Sequence, residues 1–295
     1  MKFVDIKNDI AFRKIFGNEN KKEILISFLN AVLELPEGKR INRTEIKNPF
    51  QLPEIHGLKS SILDVRVMDE RGISYIVEMQ VEEPDGFDKR VQFYTSKQYS
   101  SQIDIGEDYP KLNQVIFIGI LNFDFFEGTD YLTNHQIINT KTGLQELKDI
   151  EFNFIELLKF NKELNEIETL IEKWVYFIKK SPNLDVIPEN INDEGLKLAY
   201  QGAEKYNWTK EELMAYDYAS MRKADESSKT KRAVEKAVKK AVKKAVGEAV
   251  GMAMEQKTKE FVVNCYKEGL SIPTIAKLSI LTIDQVESII QSIDN

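Results

Sequence analysis

Two short runs of alternating residues around a four-residue turn constrain this chain most. Ser60–Met68 reads Ser-Ser-Ile-Leu-Asp-Val-Arg-Val-Met, and Tyr75–Val81 reads Tyr-Ile-Val-Glu-Met-Gln-Val. A period of two predicts strands. Leu63, Val65 and Val67 share one face of the first run, with Ile62, Asp64 and Arg66 on the other. Tyr75, Val77, Met79 and Val81 share a face of the second, leaving Glu78 and Gln80 together on the opposite one. Asp69-Glu70-Arg71-Gly72 between them has turn chemistry. A hairpin centred near Arg71 sets Asp64 across from Glu78, with Cβ atoms roughly 5 Å apart. Like charges placed that way destabilise a sheet unless something binds them, and a divalent cation such as Mg²⁺ or Mn²⁺ is the usual ligand. Exposed acids on a hairpin are the plainer alternative. Glu78, however, sits in an otherwise apolar run, where a carboxylate is expensive unless paired or coordinated. Gln80, on the same face, is placed to position a water or a phosphate.

Composition narrows the class. At 295 residues, the chain is long enough for one large domain or two to three small ones. Cys265 is the only cysteine, which excludes an internal disulfide and a cysteine cluster for zinc. The two histidines, His56 and His135, are too few for a histidine-rich metal site. The N-terminal run Met1–Asp9 carries charges where a signal peptide needs an apolar stretch, and no segment approaches the roughly 20 apolar residues of a membrane span. The expectation is a cytoplasmic protein.

Four regions follow along the chain. Residues 1–160 read as an α/β core. Asp5 or Asn8 can cap a first helix running through Phe12 and Phe16, and Lys22–Leu33 is a second, amphipathic one. Ile41–Ile46 is a candidate strand, Pro49 and Pro53 mark a loop, and a helix is expected over Asp88–Ile103. The continuous apolar run Gln114–Leu121 reads as a central strand buried on both faces, and Ile150–Phe160 as a further strand-like segment. Residues 161–225 have helical periodicity over Glu163–Lys179, Glu194–Tyr206 and Lys210–Asp225, broken at Pro182 and Pro188, and read as a helical cap on the core.

Residues 226–260 hold an internal repeat. Ala-Val pairs recur at 233–234, 237–238, 241–242, 245–246 and 249–250. Four-residue spacing against 3.6 residues per turn makes the stripe drift by about 40° per repeat. That suits a long spacer helix or a weak self-association surface, hence a candidate route to a homo-oligomer. Between Lys229 and Lys244, eight cations face one acid, a net of +7; the whole chain is −7, so the rest carries about −14. Lys236, Lys239, Lys240 and Lys243 either solvate this helix or contact nucleic-acid phosphates. In residues 261–295, Gly269 ends one helix, Ser271 can cap a second over Ile272–Leu278, and Thr282 with Gln285 makes a capping box for a third. A helix-turn-helix looks like this, and so does a small helical hairpin.

The N-terminal 160 residues resemble the PD-(D/E)XK nuclease family transposases, the recombination-promoting nucleases. The carrying residues are Asp5–Asp9 with Phe12–Gly17, Ile62–Arg66, Ile76–Val81, then Arg90, Phe93-Tyr94, Ser96-Lys97 and Tyr99. Gly106–Tyr109, the Val115–Leu121 strand, Phe154–Leu157 and Lys159-Phe160 continue the match, and Glu268–Ile272 with Ile275-Ala276 looks like the family's tail. The resemblance implies a restriction-endonuclease-like core that hydrolyses DNA phosphodiesters with a divalent cation. Asp64 and Glu78 fall on the family's metal-binding acids, and Asp9 on a further acid near the site, where helix capping is the alternative role. Gln80 falls where the wider superfamily has lysine; a glutamine orients water or phosphate but supplies no charge. Arg90 and Lys97 lie on the following helix, placed for phosphate. Ile280 stands where the family's tail has glycine.

Taken together, these readings give a Mg²⁺-dependent DNA endonuclease of the transposase type, in which Asp64 and Glu78 hold the metal and Gln80 helps position the attacking water. The competing readings are a nuclease fold that binds DNA or a partner with little or no cutting, and an oligomeric structural protein dominated by the repeat helix.

Overall fold

The computed structural model describes residues 2–47, 50–51, 61–62, 64–104, 106–189 and 191–292. Pro53, His56 and Leu63, singled out above, lie outside them, as does Pro49. The chain divides into two units, Met1–Met221 and Arg222–Asn295.

The first unit is an α/β layer structure. Its elements are α1 (Asp9–Phe16), α2 (Lys22–Leu33), β1 (Thr44–Lys47), β2 (Phe50–Gln51), β3 (Ser61–Ile62), β4 (Val65–Asp69), β5 (Ser74–Gln80), α3 (Phe87–Ser100), β6 (Val115–Leu121), β7 (Leu132–Gln136), β8 (Ile150–Glu156), α4 (Leu170–Lys180) and α5 (Glu194–Ala203). α6 (Lys210–Lys267) begins in this unit and ends in the other. Six strands form one sheet in the order β1-β4-β5-β6-β8-β7. β5, β6 and β8 run parallel; β1, β4 and β7 are antiparallel to their neighbours. β2 and β3 pair separately.

Alternation along the strands sorts side chains onto two apolar faces. Val65, Val67, Tyr75, Val77, Met79, Ile116, Ile118, Ile120 and Ile155 pack into a core with α1, α2, α4 and α5. Ile76, Val115, Phe117, Leu121 and Phe154 pack against Phe87 and Val91 of α3. β6 is buried along its whole length, as its uninterrupted apolar run predicts. Aromatic rings tie the helical layer together: Phe12 stacks on Phe16 at 4.6 Å, Phe16 and Trp174 both meet Phe28, and Phe177 meets Tyr200 at 4.5 Å. α4 and α5 are thus half of this core face. Gly195 allows the close approach of α5 to α2, since a Cβ there would come within 2.3 Å of the Glu23 carbonyl oxygen.

Local rules set most boundaries. Asn8 caps α1, its Oδ1 accepting the Ile10 and Ala11 amides, so Asp9 is a first-turn residue and not the cap. α3 ends at Ser100, three residues before the expected end. The run expected as one strand divides at a bend at Asp64: Ser61–Ile62 is β3 and β4 begins at Val65, while Ser60 lies outside the described residues. β7 has no counterpart in the sequence pattern: Leu-Thr-Asn-His-Gln is polar, and it survives as an edge strand paired on one side only. No helix among the described residues is long and apolar enough to cross a membrane.

In the second unit, the repeat is part of one unbroken helix. α6 spans 58 residues, joining three stretches that periodicity separates. It contains no proline, and Gly247 and Gly251 each cost a helix only about 1 kcal/mol. The repeat valines are half-exposed along it. Its last turns pack with α7 (Ile272–Ser279) and α8 (Ile283–Gln291) through Val262, Ile275, Ala276, Val286 and Ile290. The Thr282–Gln285 capping box forms, whereas the Ser271 side chain makes no cap bond to α7 and meets the Thr274 hydroxyl instead.

Ile280 ends α7 at φ 60° and is 92% exposed. Left-handed backbone costs a β-branched residue about 1–2 kcal/mol, and this side chain recovers little of it through packing. Ile280→Gly should therefore stabilise the tail by about 1 kcal/mol. Amide hydrogen exchange in α7 and α8 should slow by about fivefold, and faster exchange would mean that the isoleucine side chain contributes more than its exposure suggests.

Candidate active site

The site begins at a turn. Asp69 closes β4 with a buried carboxylate whose Oδ1 accepts the Arg71 and Ile73 amides. Its Oδ2 accepts from Arg71 Nε at 2.8 Å, Arg71 Nη2 at 2.6 Å and the Tyr75 hydroxyl at 2.9 Å. Burial raises the Tyr75 phenol further above its usual range, so it stays a donor. Gly72 takes the φ of 82° that the turn needs. With the turn fixed, so is the register: Met68 pairs Ser74, Val67 pairs Tyr75 and Val65 pairs Val77. Continuing that ladder by one residue sets Asp64 across from Glu78. Glu78 lies on the sheet face that carries Ile76; Asp64 sits in the bend just before β4.

β5 runs beyond its last partner on β4, and Asp64 serves the exposed ladder. Its Oδ2 accepts the Met79 amide at 2.9 Å. Its Oδ1 faces Arg13 of α1, with Nη2 at 3.1 Å and Nε at 3.4 Å. Burial raises the Asp64 carboxyl above its ordinary value against the pull of Met79 and Arg13, and the Asp9 charge adds to the rise. Asp9 is therefore near enough for its field to be felt.

Glu78 is 1% exposed in the middle of β5. Its Oε2 has two distant donors, Gln80 Nε2 at 3.4 Å and Arg90 Nη2 at 3.5 Å. Both lie at the outer limit of hydrogen bonding. Its Oε1 is buried with no partner among the described residues. Burial pushes the carboxyl up to about 7, opposed by Arg90 and reinforced by Asp64. Arg90 is held over the Tyr94 ring at 5.4 Å, and Lys97 follows two turns later on α3.

The structure thus brings Asp64, Glu78, Gln80 and Arg90 together, with Asp9 at the margin. It adds Arg13, to which sequence reasoning assigned no role; the available signal was its spacing of four from Asp9, which puts both on one helix face. Lys236, Lys239, Lys240 and Lys243 lie exposed on α6 in the other unit. Among the described residues, no three His, Cys, Asp or Glu side chains form a ready-made cage for a metal. Two opposed carboxylates nevertheless fit a hard cation, and the orphaned Glu78 oxygen is a vacant ligand for one. Mg²⁺ characteristically takes one or two carboxylates and completes its shell with water and substrate phosphate. Concavities of about 820 and 560 Å³ lie elsewhere, the first beside Tyr75, Ile116 and Asn153, the second between α2 and α5. Neither contains these residues.

The raised Glu78 carboxyl has a consequence for stability. The folded state keeps this proton up to about pH 7, while the unfolded chain releases it near 4.5. The stabilising contribution is therefore full below pH 4.5 and is lost as pH climbs towards 7. Glu78→Gln should be more stable than the parent at pH 8 in the presence of a chelator, by up to about 3 kcal/mol. The advantage should vanish towards pH 4.5. Chemical denaturation across that range checks it, and a pH-independent difference would show that Glu78 is not a buried carboxylate.

Comparison with known proteins bears on this arrangement. No curated protein and no solved structure matches the chain. A family model does match, over residues 6–233, most of the sequence and the whole of the sheet with its two carboxylates. The α/β architecture, the hairpin acids and that match agree, and the chain belongs to the PD-(D/E)XK nuclease family transposases.

Proposed function

We propose that this protein is a divalent-cation-dependent DNA endonuclease with its reacting centre at the β4–β5 hairpin. The observation that carries the reading is the buried Glu78 Oε1, without a partner among the described residues and near enough to Asp64 to feel its charge, in a chain of a nuclease family. Asp64 and Glu78 would hold Mg²⁺ or Mn²⁺, with Asp9 near enough to assist. Such a cation supplies Lewis-acid polarisation of a phosphodiester and acidifies water near neutral pH. The chain's own groups do the rest. Gln80, two residues beyond Glu78 on the same face, orients the attacking water through its carboxamide. Arg90 and Lys97 on α3 steady the phosphate oxygens. Arg13 neutralises Asp64 in the metal-free protein and is free to turn to the substrate when a cation takes its place.

Metal-dependent nicking of supercoiled plasmid tests this directly. Asp64→Asn retains an acceptor for the Met79 amide but removes the charge, so the fold should persist while nicking falls to background. Calorimetric titration with Mn²⁺ should show binding that the Asp64→Asn, Glu78→Gln double variant loses. Undiminished nicking by Asp64→Asn would sink the assignment. A parent protein that binds duplex DNA yet neither nicks it nor takes up Mn²⁺ would favour a binding module built on a nuclease fold.

The lysines of the repeat extend the proposal to affinity. Changing Lys236, Lys239, Lys240 and Lys243 to Gln keeps helix propensity nearly constant. Binding to all duplexes should weaken about equally, since phosphate contacts carry no base information. The slope of log K against log salt should fall by about 0.9 for each phosphate that is no longer neutralised. Fluorescence anisotropy over a salt series reads both, and an unchanged slope would assign these lysines to solvation of an alanine-rich helix.

A further inference from the structure

We infer that Arg66, with Lys47 beside it, forms a second phosphate-binding point that grips the DNA backbone next to the phosphate held at Asp64 and Glu78. The inference rests on the site reading proposed above and extends it across the sheet. Arg66 and Lys47 are directly paired across β4 and β1. Side chains so placed have Cβ atoms roughly 5 Å apart, and like charges there oppose sheet formation. Lys47 has a partial remedy in Glu45 on its own strand. That acid is largely exposed, where an ion pair gains little.

Arg66 has no such remedy. Among the described residues its guanidinium makes no ion pair or hydrogen bond, and its Nε is fully buried without an acceptor. A buried donor with nothing to donate to is a cost that folding alone does not recover. Nε itself is closed to an external group, but the terminal nitrogens of this half-buried side chain are not buried and are open to an external anion. A phosphodiester, with two unbridged oxygens, is the group that an arginine fork fits best.

Position selects the phosphate. Arg66 pairs Ile76, which packs on the α3 side of the sheet, the face that also holds Glu78. Arg66 is two residues from Asp64, which lies in the bend just before β4, so the two are at most about 7 Å apart along the chain. Successive phosphates on one nucleic-acid strand are separated by a similar distance. A backbone entering at Glu78 and Asp64 would meet Arg66 next and Lys47 after it, at β1, which closes that edge of the sheet.

The test uses the full chain and a fluorescein-labelled DNA duplex, with a chelator present to prevent cutting. Arg66→Met should weaken duplex binding by about tenfold and lower the salt slope by about 0.9. It should also raise the melting temperature, because the buried, unpartnered Nε of a half-buried cation is gone, and leave Mn²⁺ affinity without DNA unchanged. Arg66→Lys should restore part of the binding and most of the slope, since the charge returns without the fork. Unchanged duplex affinity in Arg66→Met overturns the inference while the metal-site reading stands on its own nicking and Mn²⁺ results. A lower melting temperature accompanied by loss of Mn²⁺ binding also overturns it, by making Arg66 a structural support for Asp64. Failure of the parent to bind either Mn²⁺ or duplex removes the site reading itself.

Discussion

The Asp69 carboxylate is the interaction on which the rest of the site depends. It collects two backbone amides, both donors of one edge of Arg71 and the Tyr75 hydroxyl within the space of one turn. A turn held by five donors does not slip, and a strand pair whose turn cannot slip has one register. A slip of one residue would carry Asp64 and Glu78 to opposite faces and drive Val65 and Val67 out of the core. Asp69 touches no part of the proposed chemistry, yet it decides whether two acids meet. A side chain at the closed end of a hairpin thus sets geometry at the open end, through four rungs of ladder.

That dependence explains what could be read from the sequence. The alternation of Val65, Val67, Tyr75 and Val77 and the turn residues between them specify the hairpin, and counting outward from Arg71 gives the register of its four pairs, Met68 with Ser74 to Val65 with Val77. The α1 and α2 helices are legible for similar reasons, having an asparagine cap and an amphipathic face. β7 was not legible, because Thr133, Asn134, His135 and Gln136 carry no strand pattern and are held by pairing with β8. Nor was Arg13. It reaches Asp64 from a helix 51 residues away in sequence, and only the packing of α1 on the sheet brings the two together. The unity of α6 was hidden by its own composition, since the periodicity changes along it while nothing stops the helix.

The site is under-satisfied in a particular way. Elsewhere, buried acids of this protein are well served: Glu156 accepts two backbone amides and Lys159, and Glu172 accepts Lys162 and two amides and is lowered to about 2. Glu78 is buried more deeply than Glu172 and has two donors at the limit of reach, and burial moves its carboxyl the other way, to about 7. The fold evidently has the means to satisfy a buried carboxylate. At Glu78 it leaves one buried oxygen without a partner among the described residues, and at Asp64 it supplies a half-exposed arginine. In the proposed reading, a cation binding here would displace the proton that burial favours at Glu78 and compete with Arg13 for Asp64, so its affinity would rise with pH.

The placement of Gln80 then bears on how charge is shared in the proposed reaction. A lysine at that position would put one ammonium beside the phosphate; a carboxamide leaves the positive charge to come from elsewhere. Three guanidiniums are near, each from a different element: Arg13 on α1, Arg66 on β4 and Arg90 on α3. Arg13 is engaged with Asp64, Arg90 reaches Glu78 only at 3.5 Å, and Arg66 is engaged with nothing described. Distributing charge this way has a physical merit. A lysine two residues from a carboxyl already burdened by burial would pull it back towards its ordinary value and compete with a metal for the same oxygen. Guanidiniums set further back can bind phosphate while leaving that oxygen open. In this reading, the neutral Gln80 and the partnerless Arg66 are two sides of one arrangement, in which the cation is left to the acids and the substrate to the arginines.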